Sequence, residues 1–236
     1  AAPKPMEATD LPEPAIAAAK APDALPAPAG REAEEEVELE PTSEASLQVE
    51  GASVRFEPGD ALALPPGDAD LVVAQALLDL VPIPEAMDAI ERGLCPGGLA
   101  YLPITFDGVT RFLPAHPDDR AVVDAYHAAI DDEPGRDSRA GSRLLQHLGE
   151  RSGELLAVAA SDWVVRPGGG ADGTGEGYPA EEASFLACVL GFVEEALSGR
   201  DVDASRWLAT RRRQLEAGRL TYLAHNDDVL YRTSSG

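Results

Sequence analysis

The chain has 236 residues, 44% of them hydrophobic, and its 42 Asp and Glu against 19 Lys and Arg leave a formal charge of −23. That is enough apolar chain to bury a core, which excludes a wholly disordered polymer, and no apolar run reaches the ~18 residues of a transmembrane helix. An acidic surface has no counterion release to draw on, so neither nucleic acid nor a membrane is expected as a partner.

Residues 1–50 hold 12 acids and 3 bases together with eight of the 20 prolines. Proline at that density blocks helix and strand alike. Residues 1–45 therefore read as an acidic Pro/Ala-rich linker or disordered segment, and 46–236 as the folded domain. The N-terminal stretch has no apolar core of a secretory signal. Cys95 and Cys188 lie far apart in the chain, which excludes a disulfide scaffold and a cysteine zinc site and points to a reducing cytoplasm. Only Lys4 and Lys20 are lysines among the basic residues. Such a composition fits a halophilic, salt-rich cytoplasm, or else an acidic tail that inflates the charge.

Leu47–Val49 and Ser53–Phe56 alternate apolar and polar residues around Glu50-Gly51, which predicts a hairpin. Asp70–Gln75 is a short apolar run between turn signals, the pattern of a strand buried on both faces. Pro82–Leu94 carries Ile83, Ala86, Met87, Ile90 and Leu94 on one helical stripe and stops at Pro96-Gly97-Gly98. Leu99–Thr105 is the next strand, so strand, helix and strand form a parallel unit. Asp118–Ile130 and Ser138–Gly149 read as helices, Leu155–Val165 as a strand and Gly168–Gly177 as a flexible loop or lid. Ala180–Leu197 is a helix, another runs from an Asp203 or Ser205 cap to about Ala217, and Leu220–Arg232 is a last strand.

Several of these segments, in this order, resemble the class I methyltransferases that use S-adenosylmethionine. Gly59-Asp60-Ala61-Leu62 looks like the acidic loop that meets the adenine, and Asp70–Val81 like the fourth strand with its cofactor-facing loop. Leu94-Cys-Pro-Gly-Gly98 is similar to the turn before the fifth strand, and Gly153–Val165 with Leu220–Tyr231 to the terminal antiparallel pair. The resemblance covers about residues 47–232. It implies an α/β fold, a Rossmann-like three-layer sandwich with a terminal antiparallel strand pair that lacks its first two strands. No Gly-x-Gly-x-Gly loop precedes residue 47, so the chain reads first as a piece of a longer polypeptide, and otherwise as one whose partner supplies the missing half or one that no longer binds the cofactor normally.

The implied function is methyl transfer from S-adenosyl-L-methionine to a small-molecule acceptor. The alternative is a degenerate, non-catalytic α/β domain that binds a partner or serves a structural role. Asp60 can accept from an adenine amino group while the Ala61 N–H donates to the ring, with Leu62 beside them; a solvated turn acid is the plainer reading. Ala74, Gln75 and Ala76 stand at the carboxyl end of a strand, where open α/β sheets bind ligands, although Gln75 and Ala76 also suit a helix start.

The loop Phe106–Phe112 follows the fifth strand, so Phe106, Asp107 and Arg111 are candidate substrate residues, with Asp107 a conceivable general base. Arg139 and Arg143 are candidates to clamp an anionic substrate, against ordinary surface pairing. Gly168, Gly170 and Gly173 spell Gly-x-Gly-x-x-Gly, but the helix begins only near Pro179, which argues against a nicotinamide enzyme. His116, His127, His147 and His225 show no metal-ligand spacing, and no metal is expected. His225, in Ala-His-Asn-Asp-Asp, reads as a surface position at a strand end, with a place beside a site as the alternative, and Arg211-Arg-Arg213 reads as an exposed helix face.

Overall fold

The computed structural model describes residues 45–49, 52–56, 58–67, 69–168 and 177–235. All but Ala45 of the linker expected over 1–45 lies outside them, as do Gly170 and Gly173 and most of the glycine-rich loop. Two compact units are present, one ending at Phe56 and one beginning at Glu57. In the first, β1 (Ala45–Val49) and β2 (Ala52–Phe56) form the expected antiparallel hairpin, with Val49 opposite Ala52 and Ala45 opposite Phe56.

The second unit is a mixed five-stranded sheet with helices, an α/β fold. Its strands, β3 (Ala69–Val73), β4 (Leu94–Leu113), β5 (Glu154–Ala160), β6 (Trp163–Val165) and β7 (Thr221–Arg232), pair in the order β3-β4-β7-β5, with β6 also on β7. The expected parallel unit is there: β3 (Ala69–Val73) runs parallel to β4 (Leu94–Leu113), and α1 (Ile83–Gly93) connects them. Proline sits in the first turn of α1, with Glu85 there and Arg92 in the last, each favoured by the helix dipole. Its apolar stripe buries Ile83, Ala86, Met87 and Ile90.

The terminal antiparallel pair is also there: β7 (Thr221–Arg232) pairs with β4 on one side and with β5 (Glu154–Ala160) on the other. Four further elements follow the expected order: α2 (Asp119–Asp131), α3 (Ala140–Gly149), α4 (Ala180–Leu197) and α5 (Ser205–Glu216). Among the described residues, no helix is long and apolar enough to cross a membrane.

Alternation along β7 shows how the helices are layered. Tyr222, Ala224 and Asn226 are buried, and then the parity switches to Val229 and Tyr231. Successive strand residues face opposite sides, so β7 buries one face in its first half and the other in its second. The first face packs with Phe112, Leu186, Leu190, Trp207 and Leu208 into one core, built by α4 and α5 with α2 beside them. The second packs Ala100, Leu102, Val229 and Tyr231 against Met87 and Ile90 of α1 and Leu144 and Leu148 of α3. Asp227 and Asp228 lie at the switch, and both are half-buried.

Four expectations change. The Asp70–Gln75 strand is not buried on both faces: Leu71 and Val73 are 52% and 54% exposed. It is an edge strand, and among the described residues no strand pairs with its outer side. The Leu99–Thr105 strand and the Phe106–Phe112 loop are one strand, because β7 is long enough to pair with β4 as far as Leu113. The Leu155–Val165 strand is two, β5 and β6 (Trp163–Val165), broken where the Asp162 side chain turns to His225.

The fourth concerns the Arg211–Arg213 run, which is not a uniformly exposed face. Arg211 is fully buried, its guanidinium lying 5.2 Å from the Trp207 ring and 5.7 Å from that of Phe112, and it pairs with Asp119. Arginine's delocalised, weakly hydrated head is the cation that tolerates such stacking.

Candidate functional site

Two backbone outliers mark the place where β4 parts from β3. The Ala74 N–H donates to the Tyr101 carbonyl at 3.0 Å and the Ala76 N–H to that of Pro103 at 3.1 Å. Ala76 (φ 51°) and Ile104 (φ 57°) both take left-handed conformations. For a β-branched residue this costs ~1–3 kcal/mol and persists only where the surroundings enforce it. Here the Ile104 N–H donates to the Asp228 carboxylate at 2.8 Å, and Ser161 Oγ donates to the same oxygen at 2.7 Å. Strain stored at the carboxyl end of parallel strands is where an open α/β sheet takes its ligands.

Bulges then redirect β4. Leu102 pairs with Val229 and Thr105 with Asp227, one residue more on β4 than on β7; Phe106 pairs with Asn226 and Thr110 with Ala224, two residues more. Such insertions re-aim side chains, and the second carries Asp107 and Gly108 (φ 71°) out of the ladder. Asp107 reaches the first turn of α3, where it accepts from the Ser142 N–H at 2.8 Å and the Ser142 hydroxyl at 2.7 Å. Gly141 makes this approach possible, since a Cβ there would lie 2.5 Å from Asp227 Oδ2 and 2.9 Å from the Asp107 Cβ.

His225 and Asp227, two residues apart on β7, share the face that meets Asp107. His225 Nδ1 lies 2.6 Å from Asp162 Oδ1 and Nε2 lies 3.6 Å from Asp227 Oδ1. A carboxylate only accepts, so Nδ1 carries the proton toward Asp162 and Nε2 is turned to Asp227. The bond to Asp162 raises the His225 pKa above the ordinary imidazole value, against a smaller lowering by burial. Burial raises the Asp227 carboxyl, and the Asp107 charge adds to it while His225 opposes it. Asp107, His225 and Asp227 each offer one ligand atom, all within 4.8 Å of one another. Among the described residues they are a group that could hold a cation.

The predicted residues fall into three places. Asp60, Ala61 and Leu62 form a turn in which Asp60 Oδ1 accepts from the Leu62 N–H at 2.8 Å, Asp60 and Ala61 are exposed, and Leu62 packs on the α1/α3 core. Ala74 is buried, and Gln75 and Ala76 are exposed, at the strained edge. Phe106, Asp107 and Arg139 come together: Phe106 meets the His127 ring edge-on at 5.5 Å, and the backbones of Asp107 and Arg139 form a bridge.

Arg139 and Arg143 line a cleft of about 490 Å³ with Arg120, Asp124, His127 and Asp131. Arg143 is already paired with Asp137 at 2.7 Å, which leaves Arg139 the freer cation of the two. Burial lowers the His127 pKa, and its Nε2 lies 3.0 Å from Thr110 Oγ1. Arg111 stands apart, exposed and opposite Leu223 farther along β4.

No family model and no curated protein matches the chain. Among solved structures it is similar to a protein assigned as a methyltransferase from Bacillus halodurans C-125, at 15% identity and a TM-score of 0.44 over 76% of this chain and 77% of that one. It is also similar to the [4+2]-cyclase SpnF, at 18% identity and a TM-score of 0.35 over 77% of this chain. A third is assigned as a sarcosine dimethylglycine methyltransferase from Galdieria sulphuraria, at 18% identity and a TM-score of 0.32 over 75% of this chain. The chain spans 56% of the cyclase's length and 58% of the Galdieria protein's.

Sequence reasoning did not single out Ile104, Thr105, Ser142, Asp162 or Asp227. The one available signal was the His225–Asp227 spacing, since two residues apart on a strand share a face. Asp107 and Asp162 join them only through the sheet.

Proposed function

We propose that the chain belongs to an S-adenosylmethionine-dependent methyltransferase acting on a small anionic molecule. The observation that carries this reading is the parallel β3–α1–β4 unit, followed by the antiparallel β7/β5 pair, with left-handed Ala76 and Ile104 where β4 parts from β3. The residues fit the adenine end of such a cofactor. Asp60 Oδ1 is used by the Leu62 N–H, but among the described residues nothing donates to Oδ2, an acceptor for an exocyclic amino group. Gln75 and Ala76 would stand beside the cofactor at the end of β3.

S-adenosylmethionine, when bound, supplies an electrophilic methyl group, so the chain has chiefly to orient the acceptor and exclude water. Phe106 offers an apolar wall and Arg139 a cation for an anionic acceptor. The setting we propose is a cytoplasm rich in salt. Stability that rises from dilute buffer to molar potassium chloride supports the salt adaptation, and unchanged stability sinks it.

Photo-crosslinking of radiolabelled S-adenosylmethionine to the full chain tests the reading. Label should fall on peptides containing Asp60–Leu62 or Ala74–Ala76 and be displaced by S-adenosylhomocysteine but not by NAD. Label that is absent, or equally displaced by NAD, overturns it. A partner-binding module without cofactor is the second reading, favoured by Val73 and Tyr101, paired on β3 and β4 and exposed on one face.

A further inference from the structure

We infer that Asp107, His225 and Asp227 form a binding site for one divalent transition-metal cation, with Asp162 and Ser142 as its supporting shell. One imidazole and two carboxylates are the donor set that suits Mn²⁺, Fe²⁺ or Zn²⁺. The three ligand atoms already lie within 4.8 Å of one another. Coordinate bonds of ~2 Å hold neighbouring ligand atoms ~3–3.5 Å apart, so the group closes by about 1–2 Å on taking an ion.

Two features separate this group from an ordinary acidic surface. Each outer ligand is oriented as metal ligands are: His225 gives its Nδ1 proton to Asp162 at 2.6 Å, which leaves Nε2 for the ion, and Asp107 is held by the Ser142 N–H and hydroxyl. Independently, Thr105 is fully buried with its Oγ1 unpartnered. Thr105 lies directly opposite Asp227 on the β4–β7 ladder, so its side chain stands beside that of Asp227 on the same face of the sheet. A buried hydroxyl without a partner is costly, and an ion with its water shell supplies one.

The charges agree. Among the described residues, no N–H or O–H donates to the Asp227 carboxylate, whose ion-pair partner is His225 Nε2 at 3.6 Å. Gly141 brings the α3 N-terminus against both carboxylates without filling the space between them. The site lies on the β7 parity switch, where His225 and Asp227 are half-buried.

Titration of the full 236-residue chain with Mn²⁺, followed by electron paramagnetic resonance in molar potassium chloride, tests the inference. Salt screens diffuse binding to the acidic surface. One site per chain should remain, weakened more than tenfold in Asp227→Asn and in His225→Gln, and ~10–100-fold in Asp162→Asn. Glu85→Gln, on the exposed side of α1, should leave it unchanged. Circular dichroism checks that each variant folds.

Should the variants not fold, the spin-echo spectrum of the wild-type chain decides: nitrogen coupling from a histidine supports the site, and water protons alone overturn it. Absence of a stoichiometric site in salt, or equal affinity in His225→Gln and Glu85→Gln, also overturns it.

Discussion

Arg211, on α5, and Asp227, on β7, are both charged side chains taken largely out of water, and they are treated in opposite ways. Arg211 is enclosed by α5, Trp207 and Phe112. Its two terminal nitrogens reach Asp119, the Pro114 carbonyl at 2.6 Å and Gln214 at 2.8 Å, leaving only Nε without a partner. Asp119 in turn accepts from the Trp207 indole at 2.7 Å and the His116 N–H at 2.7 Å. Asp227 sits beside Asp107 and Asp228 with His225 as its ion partner. A satisfied buried charge is architecture. A crowded one of a single sign, held open by a glycine, is a place for a ligand.

Substitutions should break that contrast with opposite signs. Arg211→Met leaves Asp119 without its cation and should cost about 3–5 kcal/mol, the range for removing one partner of a buried pair, read from urea unfolding. Asp119 extends the same point to pH. Burial raises its pKa, but the hydrogen bonds from Arg211, Trp207 and His116 outweigh this and hold it below the usual carboxylate value. A depressed carboxyl contributes stability that is full above its unfolded pKa of ~3.9 and is lost as pH falls through the folded value. Arg211→Met should flatten that acid limb.

Asp227→Asn should act the other way. Its pKa is raised, so at neutral pH the ionised group opposes folding, and without added metal the variant should be more stable by about 0.5–1 kcal/mol. A loss of stability would contradict the picture of a crowded, unmet charge. The smallest effect belongs to His225. Asp162 raises its pKa, so the pair's contribution is full below ~6.5 and is lost as pH rises through the folded value. Asp162→Asn should remove that slope between neutral and mildly alkaline pH, as thermal unfolding would show.

The sheet and the helices were legible because they rest on local patterns. The stripe on α1 and the run Ala180–Leu197 repeat at helical spacing, and the latter is found with those bounds. What was not legible depends on partners distant in the chain. Asp107-Gly108 carries a turn signature, yet it is a bulge, because β7 supplies the other strand. Arg211 looks like its neighbours Arg212 and Arg213, and only the walls of Phe112 and Asp119, about a hundred residues upstream, single it out. Of the candidate site, the edge at Ala74–Ala76 was readable from the strand that precedes it. The His225–Asp227 half needed the β4–β7 register, which no local pattern encodes.

The most direct measurement is calorimetric titration of the full chain with S-adenosylhomocysteine, with NAD as the control. The account predicts one saturable site for S-adenosylhomocysteine, weakened by Asp60→Ala, and no heat with NAD. Silence with S-adenosylhomocysteine, or binding of NAD in its place, would contradict it.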